Sequence, residues 1–206
     1  GVVLDGAGDK AFCAGGDVRA LQRAIRAAHE AGESAAPAPV RAFFEREYRL
    51  DYRIHTYPKP LLCWGHGIVM GGGLGLMAGA SHRVATPRTR IAMPEIAIGL
   101  YPDVGGSWFL PRMPGHGGLF LALTGAAIGA ADARFAGLAD FVLAHEDKAA
   151  VLAALADSHW RGEAGDDRIR LGALLEARTL GAGVPPSALR RQFDRIEAVI
   201  GHDGLH

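Results

Sequence analysis

The sequence is poor in cysteine, has no excess of charge of either sign and lacks long apolar runs. Its two cysteines, Cys13 and Cys63, lie far apart and outside any CxxC pair, which favours a reducing cytoplasm or organelle matrix over secretion. The 22 basic and 22 acidic side chains cancel, so the charge gives no reason to expect nucleic acid or an anionic membrane as a partner. No apolar stretch approaches the roughly 20 residues of a membrane span. We expect a cytoplasmic protein, or a mitochondrial matrix protein if the source is eukaryotic.

Several common catalytic motifs are also missing. No phosphate-binding loop of the form G-x-x-x-x-G-K-[ST] occurs, and the dinucleotide fingerprint that begins at Gly65 has Met70 in place of its third glycine. Residues 105–109 begin a nucleophile elbow without the final glycine. Ala149 stands where a zinc-protease motif beginning at His145 would need its second histidine. The sequence therefore predicts neither a bound cofactor nor a metal site.

Glycine, in contrast, is abundant, and it is clustered. The 29 glycines concentrate in residues 1–16, 65–79 and 99–118, and such clusters indicate close approach of the backbone to something. Around them short apolar strands alternate with helical patterns, which predicts an α/β fold. The predicted strands are residues 2–4, 61–64, 83–86, 90–92 and 138–143, and the predicted helices are residues 18–32, 40–57, 74–80, 107–112, 117–124, 130–136 and 148–156.

The ends of the chain differ in how clearly they can be interpreted. Asp17 stands at the N-cap position of the first predicted helix. Residue 1 starts directly in a predicted strand without an initiator Met, so we expect the chain to be part of a longer protein. Residues 1–145 are predicted to form the core, and residues 146–206 a partial C-terminal helical region, since the helical pattern weakens beyond about residue 160. No internal repeat is visible in the sequence.

Two glycine turns each connect a strand to a helix. They lie in residues 11–17 (AFCAGGD) and 70–73 (MGGG). The first amides of a helix have no intrahelical partner and lie at the positive end of its dipole, and glycine lets a ligand atom come close to them. Two such turns that faced each other would form an oxyanion hole. For either turn alone a tightly packed helix start is the better interpretation, but the pair, followed closely by Pro94 and Glu95, favours the functional one.

These motifs carry a specific resemblance over roughly residues 1–145. Residues 10–17 (KAFCAGGD), 66–73 (HGIVMGGG) and 92–106 (AMPEIAIGLYPDVGG) resemble the crotonase (enoyl-CoA hydratase/isomerase) superfamily and, within it, the 3-hydroxyisobutyryl-CoA hydrolases of valine degradation. Residues 109–112 (FLPR) and 121–125 (LALTG) extend the match. The resemblance implies the crotonase, or ClpP-like, α/β fold: a spiral core of repeated β-β-α units with C-terminal helices.

By this resemblance, the amides of Gly16 and Gly72 are expected to hold the oxygen of an acyl-CoA thioester, and Glu95 and Asp103 to be the catalytic carboxylates. Glu95 either attacks the carbonyl carbon to give a mixed anhydride or deprotonates an attacking water, and the sequence leaves both routes open. Asp103 is expected to orient the 3-hydroxyl of the substrate or to assist proton transfer to the leaving thiolate. Without the resemblance, Glu95 could simply begin a helix and Asp103 could cap one.

The resemblance also implies substrate contacts. Glu47 matches a position that contacts substrate in the hydrolases, although its charged helix would ordinarily be a solvated surface. Ala14 is expected beside the adenine of CoA. Tyr101 and Trp108 are expected to line the acyl pocket or the core. His66 precedes a glycine turn, but nothing pairs it with a nucleophile, so a packing or hydrogen-bonding role is expected. CoA enters as part of the substrate, and assembly into a homo-oligomer stays open.

One departure from the superfamily pattern separates the candidate activities. Hydratases carry a catalytic Glu two residues after the glycine triplet, where this sequence has Gly75, so hydratase chemistry is disfavoured. The prediction is therefore an acyl-CoA thioester hydrolase for a short 3-hydroxyacyl group, with 3-hydroxyisobutyryl-CoA first and 3-hydroxypropionyl-CoA second. The alternatives are an enoyl-CoA isomerase, against which Asp103 argues, and a non-catalytic CoA-binding scaffold, against which Glu95 and Asp103 both argue.

Overall fold

The computed structural model describes residues 1–201 of the chain. Its described part contains seven short strands, which form two separate sheets. The strands are β1 (Val2–Asp5), β2 (Ala11–Cys13), β3 (Leu61–Gly65), β4 (Ile68–Met70), β5 (His82–Ala85), β6 (Arg90–Ala92) and β7 (Phe141–Val142). The order is β1-β3-β5-β7 in one sheet and β2-β4-β6 in the other, and every pairing is parallel.

The helices connect and cover these sheets. They are α1 (Val18–Glu30), α2 (Ala38–His55), α3 (Gly72–Ala78), α4 (Gly106–Phe109), α5 (Gly117–Thr124), α6 (Ala130–Phe135), α7 (Lys148–Asp157), α8 (Ala164–Glu176), α9 (Ala188–Arg191) and α10 (Phe193–Ile200). Short 3₁₀ helices occupy Glu95–Ile98, Leu110–Arg112 and His145–Asp147. No helix of residues 1–201 is both long enough and apolar enough to cross a membrane.

Successive strand pairs repeat one arrangement. The first strand of each pair enters the first sheet, and the second enters the other sheet, so that β3 lies beside β1 and β4 beside β2. Parallel neighbours need a crossover connection; α1 and α2 supply it between β2 and β3, and α3 between β4 and β5. This is the predicted β-β-α repeat. It is visible in the backbone although the sequence shows no repeat.

The core lies against both sheets. All five residues of β3 are buried, because neighbouring strands flank it and side chains pack on both of its faces. A second apolar cluster forms around Trp64, which packs with Leu143, Val151, Leu171 and Leu175. Helices α7 and α8 thus cover one face of the first sheet. The division of the chain at residue 145 stays a prediction.

Most predicted elements are confirmed, with two corrections. Residues 11–13 and 68–70, which the sequence interpretation assigns to no strand, are the strands β2 and β4; three residues are too few to show an alternating pattern beside glycines. The last predicted strand, residues 138–143, shrinks to Phe141–Val142. The amides of Leu138 and Ala139 donate instead to the Ala133 carbonyl and close the end of α6.

The predicted N-cap of the first helix is confirmed. The Asp17 Oδ1 atom accepts a hydrogen bond from the amide of Ala20 at 2.9 Å. This bond satisfies one of the free amides of the first turn of α1. It also fixes the direction in which the chain leaves the Ala14–Gly16 turn.

Candidate active site

The two glycine turns lie against each other. A Cβ atom added at Gly15 would lie 3.5 Å from the Gly72 nitrogen and 3.3 Å from the Met70 carbonyl oxygen, and one added at Gly73 would overlap the carbonyl of Cys13. Gly15 has a φ of 94°, a backbone conformation that residues other than glycine rarely adopt. Glycine at these positions therefore allows the contact between the β2–α1 turn and the start of α3.

The two predicted oxyanion donors lie on these facing turns. Gly72 is the first residue of α3, and its amide lacks an intrahelical acceptor. Within residues 1–201, the amides of Gly16 and Gly72 donate no hydrogen bond to another protein group. Gly16 packs so closely against Phe43 of α2 that a Cβ atom there would overlap the ring. The structure thus brings the two turns together, and the oxyanion role of the Gly16 and Gly72 amides stays a prediction.

Glu95 lies beside the second turn. It follows β6, begins a 3₁₀ helix and is only 7% exposed. Its Oε1 atom is 2.9 Å from the place that a Cβ atom of Gly71 would occupy. Its Oε2 atom is buried without a partner in the described chain. Burial raises the pKa of the Glu95 carboxyl and the charge of Asp103 raises it further, against the opposing effect of a hydrogen bond with its own backbone.

Asp103 is held by a tyrosine rather than by a helix end. The Tyr48 hydroxyl donates to Asp103 Oδ2 at 2.6 Å, whereas the cap of α4 is Gly105 and has no side-chain cap bond. The alternative that the Asp103 side chain caps this helix is therefore wrong. Burial, and next the hydrogen bond to Asp103, raise the pKa of the Tyr48 hydroxyl, so Tyr48 is a neutral donor at physiological pH.

Glu47 projects from α2 toward the Gly72 turn. A Cβ atom at Gly72 would overlap Glu47 Oε1, so the carboxylate lies against the turn instead of in solvent. Burial raises the pKa of Glu47, and the negative charge of Asp103 adds to the shift. The default expectation of a solvated surface is therefore wrong for this residue, and α2 brings Glu47 to the same region as Asp103 and the Gly72 turn.

The remaining predicted residues lie farther out. Ala14 is exposed on the β2–α1 turn. Tyr101 is 73% exposed, so it lies on the surface and not in the core. Trp108 is 54% exposed and lies beneath the guanidinium of Arg112, whose central carbon is 3.2 Å from the ring centroid.

His66 is a structural residue. It is 1% exposed, and its Nε2 atom donates to the Gly8 carbonyl at 2.8 Å if that nitrogen carries the proton. Its ring packs against that of His145, with centroids 4.7 Å apart and the ring planes tilted by 36°. These contacts agree with the packing role expected for His66. In the described chain, no group of His, Cys, Asp and Glu side chains has the arrangement of a metal site.

A cavity of about 320 Å³ opens between α2, α3 and α4. Tyr48 and Trp108 line it, as do Val104, Gly75 and a residue that the sequence interpretation missed, Asp51. Both carboxylate oxygens of Asp51 are buried without a partner in the described chain. Burial, helped by the charges of Glu47 and Asp103, raises the pKa of Asp51 to about 7. The available signal was its spacing: Asp51 follows Glu47 by four residues and so shares its helix face.

Comparison with known proteins identifies the family. The profile described as "Enoyl-CoA hydratase/isomerase" matches residues 1–206. The chain belongs to this family. Among solved structures, a carnitinyl-CoA dehydratase from Mycobacterium thermoresistibile superposes with a TM-score of 0.80 at 38% identity, over 98% of this chain and 54% of that one. The predicted crotonase fold is thereby confirmed.

The alignments with curated relatives cover only part of this chain and a smaller part of each relative. The "3-hydroxyisobutyryl-CoA hydrolase, mitochondrial" of Danio rerio is 49% identical over 138 residues, which are 67% of this chain and 34% of that protein. The "Small ribosomal subunit protein mS47" of Neurospora crassa is 45% identical over 142 residues, which are 69% of this chain and 27% of that protein. The chain thus spans about a third of the length of such relatives.

Within the family, the position of the missing hydratase glutamate is closed. A Cβ atom at Gly75 would lie 2.5 Å from Val104 Cβ and 3.0 Å from the Val104 carbonyl oxygen. Val104 is 5% exposed and has a φ of 43°, an uncommon conformation for a β-branched residue. The loop before α4 therefore fills the space into which a longer side chain at position 75 would extend.

Proposed function

We propose that this chain carries the active site of an acyl-CoA thioester hydrolase for short 3-hydroxyacyl groups. The observation that carries the proposal is the buried Glu95 carboxylate beside the facing glycine turns, with Asp103 close enough to shift its pKa. The hydrolase name of the Danio rerio relative supports the reaction. 3-Hydroxyisobutyryl-CoA is the first substrate to test and 3-hydroxypropionyl-CoA the second.

In the proposed reaction, the thioester carbonyl binds between the amides of Gly16 and Gly72. Negative charge develops on its oxygen as the carbonyl carbon is attacked, and preorganised amides stabilise that charge without reorganising. One such donor is typically worth about 3 kcal/mol. Gly72 suits this task because it begins a helix and its amide has no intrahelical partner.

Glu95 drives the attack by one of two routes. As a nucleophile, it bonds to the carbonyl carbon, the C–S bond breaks, CoA leaves as the thiolate, and water then hydrolyses the mixed anhydride. As a base, it takes a proton from the water that attacks the carbonyl carbon directly. The pKa of Glu95 is raised toward the pH at which the enzyme would work, and a pKa near the working pH suits a general base. Both routes yield the free acid and CoA, and neither requires a separate cofactor.

The other carboxylates have supporting roles in the proposal. Asp103 accepts the Tyr48 hydroxyl at 2.6 Å, which fixes its orientation toward the substrate and the leaving sulfur. Glu47 lies against the Gly72 turn, where it holds the acyl end. Ala14 and Tyr101, both exposed, are the proposed contacts for the adenine and for the mouth of the acyl pocket.

A non-catalytic role is the second candidate. The specific observation in its favour is the similarity to the ribosomal protein of Neurospora crassa. Against it stand Glu95, whose Oε2 atom is buried without a partner in the described chain, and Asp51, both of whose oxygens are. A scaffold has no use for such groups, which cost stability when they meet no ligand. The hydrolase therefore accounts for more of the site.

The test is thiol release by the full natural protein with 3-hydroxyisobutyryl-CoA. We expect Glu95→Ala to lower kcat by roughly 100- to 10,000-fold, the range for loss of a general base, and Asp103→Ala to lower it as well. Glu45→Ala, which removes an exposed carboxylate of the same helix as Glu47, is the matched control. Turnover of an enoyl-CoA without thiol release would favour an isomerase, and tight CoA binding without any turnover would favour the scaffold.

A further inference from the structure

The cavity between α2, α3 and α4 has mainly apolar walls, and its polar side chains, all from α2, are Tyr48, Asp51, Tyr52 and His55. Trp108, Phe109 and Val104 line one side, and Gly75 and Ala78 of α3 line another. The volume of about 320 Å³ suits a short acyl group. Asp51 is the carboxylate of this lining, because Glu47 and Asp103 lie outside it.

The Asp51 carboxyl has no protein partner in residues 1–201. Both of its oxygens are closed to solvent and accept no hydrogen bond. The charges that act on it most strongly, those of Glu47 and Asp103, have the same sign as its own. Burying a polar group without a partner costs roughly 1–3 kcal/mol. Because Asp51 lines the cavity, a change of its side-chain rotamer would bring these oxygens into contact with a ligand there.

Its place on α2 indicates which part of a ligand it meets. Glu47 contacts the Gly72 turn, where the thioester carbonyl binds in the proposed reaction. Asp51 lies one helical turn farther along the same face, about 6 Å at 1.5 Å per residue. A hydroxyl on the third carbon of an acyl chain, together with one hydrogen bond, covers a similar distance. A hydroxyl also suits the site chemically, because it both donates and accepts and so satisfies the carboxyl in either protonation state.

We propose that Asp51 is the specificity-determining residue that binds the hydroxyl of the acyl group. The inference rests on the proposed hydrolase function, since it takes the acyl-CoA orientation from it. Apolar walls enclose the carbon skeleton of the acyl group, and Asp51 forms a hydrogen bond with its one polar substituent, the hydroxyl. Acyl groups of the same size that lack the hydroxyl leave Asp51 without a partner, and the protein discriminates against them for that reason.

The test compares 3-hydroxyisobutyryl-CoA with isobutyryl-CoA in the full natural protein. Asp51→Leu keeps the size and removes the hydrogen bond, so it should lower kcat/KM for the hydroxylated thioester by roughly 10- to 100-fold, the usual cost of a hydrogen bond to a charged group. The value for isobutyryl-CoA should stay the same or rise. Asp51→Asn, which keeps a donor and an acceptor, should retain most of the preference, and the exposed-carboxylate control Glu45→Leu should retain all of it.

Equal losses for both thioesters in Asp51→Leu would indicate a structural role and overturn the inference, as would an unchanged ratio. Binding to the Glu95→Gln protein, measured by calorimetry with and without Asp51→Leu, gives the same ratio without turnover. If the parent protein releases no thiol yet binds the hydroxylated thioester more tightly through Asp51, the hydrolase proposal fails and the hydroxyl site stands. Equal binding of the two thioesters overturns the site regardless of turnover.

Discussion

Two partly buried aspartates of this protein differ in their hydrogen bonding. Asp140, just before β7, receives the Arg83 amide at 2.8 Å, Arg83 Nε at 3.0 Å and Arg83 Nη2 at 2.6 Å. Asp51, in the wall of the cavity, receives no hydrogen bond from the described chain. Asp140 joins β5 to the β7 segment, and both of its oxygens accept hydrogen bonds from Arg83. Both oxygens of Asp51 remain available to a ligand.

The same contrast extends to other buried polar groups of the molecule. His66, Thr89 and Trp64 lie outside the active site, and their polar atoms pair with the Gly8 carbonyl, the Gly65 carbonyl and His145 respectively. In the site, Glu95 Oε2 and both oxygens of Asp51 remain without partners. Buried polar groups are nearly always satisfied in native proteins. The one other such atom in residues 1–201, His116 Nδ1, lies 3.0 Å from Glu197 Oε1. Buried carboxylate oxygens without a partner are therefore confined, within the described residues, to the candidate site.

The largest effect on stability is expected when Asp140 is replaced by leucine, with the same replacement of Asp51 as the comparison. Asp140→Leu leaves Arg83 without its paired acceptor and should lower the free energy of unfolding by about 2–3 kcal/mol, below the usual range for a fully buried pair because both side chains are partly exposed. Asp51→Leu removes a carboxylate that has no partner, so stability should stay constant or rise. Urea denaturation of both variants checks this. Similar losses of unfolding free energy in the two variants would contradict the contrast between Asp140 and Asp51.

A further carboxylate added to the unsatisfied region should not be tolerated. Gly75→Glu has to displace Val104, whose Cβ lies 2.5 Å from the position of the new Cβ atom, and overpacking of this kind typically costs about 1–3 kcal/mol. The measurement is urea denaturation together with an assay for water addition to an enoyl-CoA. Hydratase activity at unchanged stability would show that the loop before α4 moves aside readily.

The pH dependence of stability should distinguish Asp51 as well. The pKa of its carboxyl rises from 3.8 to about 7 in the folded protein, through burial and the charges of Glu47 and Asp103. The folded state therefore binds more protons than the unfolded chain in this window. Stability from this group is fully present below pH 3.8 and is lost as the pH rises to about 7.

Asp51→Asn removes that dependence. Relative to wild type, its free energy of unfolding should therefore increase as the pH rises from 3.8 to about 7. The other titratable groups near Asp51 are Glu47 and Asp103, whose charges raise its pKa, and Tyr48, Tyr52 and His55, which line the same cavity; all five are unchanged in the variant. Urea midpoints at several pH values provide the measurement. A difference between the two proteins that does not vary with pH would contradict the shifted pKa.

The smallest effect is expected at the rim of the cavity. Arg112 lies over the exposed Trp108 ring at 3.2 Å, and exposed cation–π pairs are worth about 0.5–1 kcal/mol. Arg112→Ala should lower stability by about that amount and leave the preference for a hydroxylated thioester unchanged. Thermal unfolding and the two-substrate assay test both statements. A changed preference would mean that the rim, and not Asp51 alone, selects the acyl group.

Much of the site could be predicted from local patterns. The glycine turns around Gly16 and Gly72 and the residues Glu95 and Asp103 lie in contiguous motifs, and the structure places the turns against each other with both carboxylates nearby. Glu47 was predicted by resemblance, although its charged helix suggested solvent. Asp51 was missed because an aspartate four residues beyond a glutamate on an amphipathic helix ordinarily faces water.

The sequence by itself determined the α/β class, the bounds of most helices, the Asp17 cap and the absence of a hydratase glutamate at Gly75, because these depend on neighbouring residues and backbone preferences. Only the tertiary structure decided that β2 and β4 are strands, that Tyr48 and not a helix end holds Asp103, and that Asp51 faces a cavity. Those outcomes depend on which segments, distant along the chain, pack together. Partner strands make a three-residue strand recognisable, and only the surrounding fold determines whether a carboxylate meets water, a donor or an empty pocket.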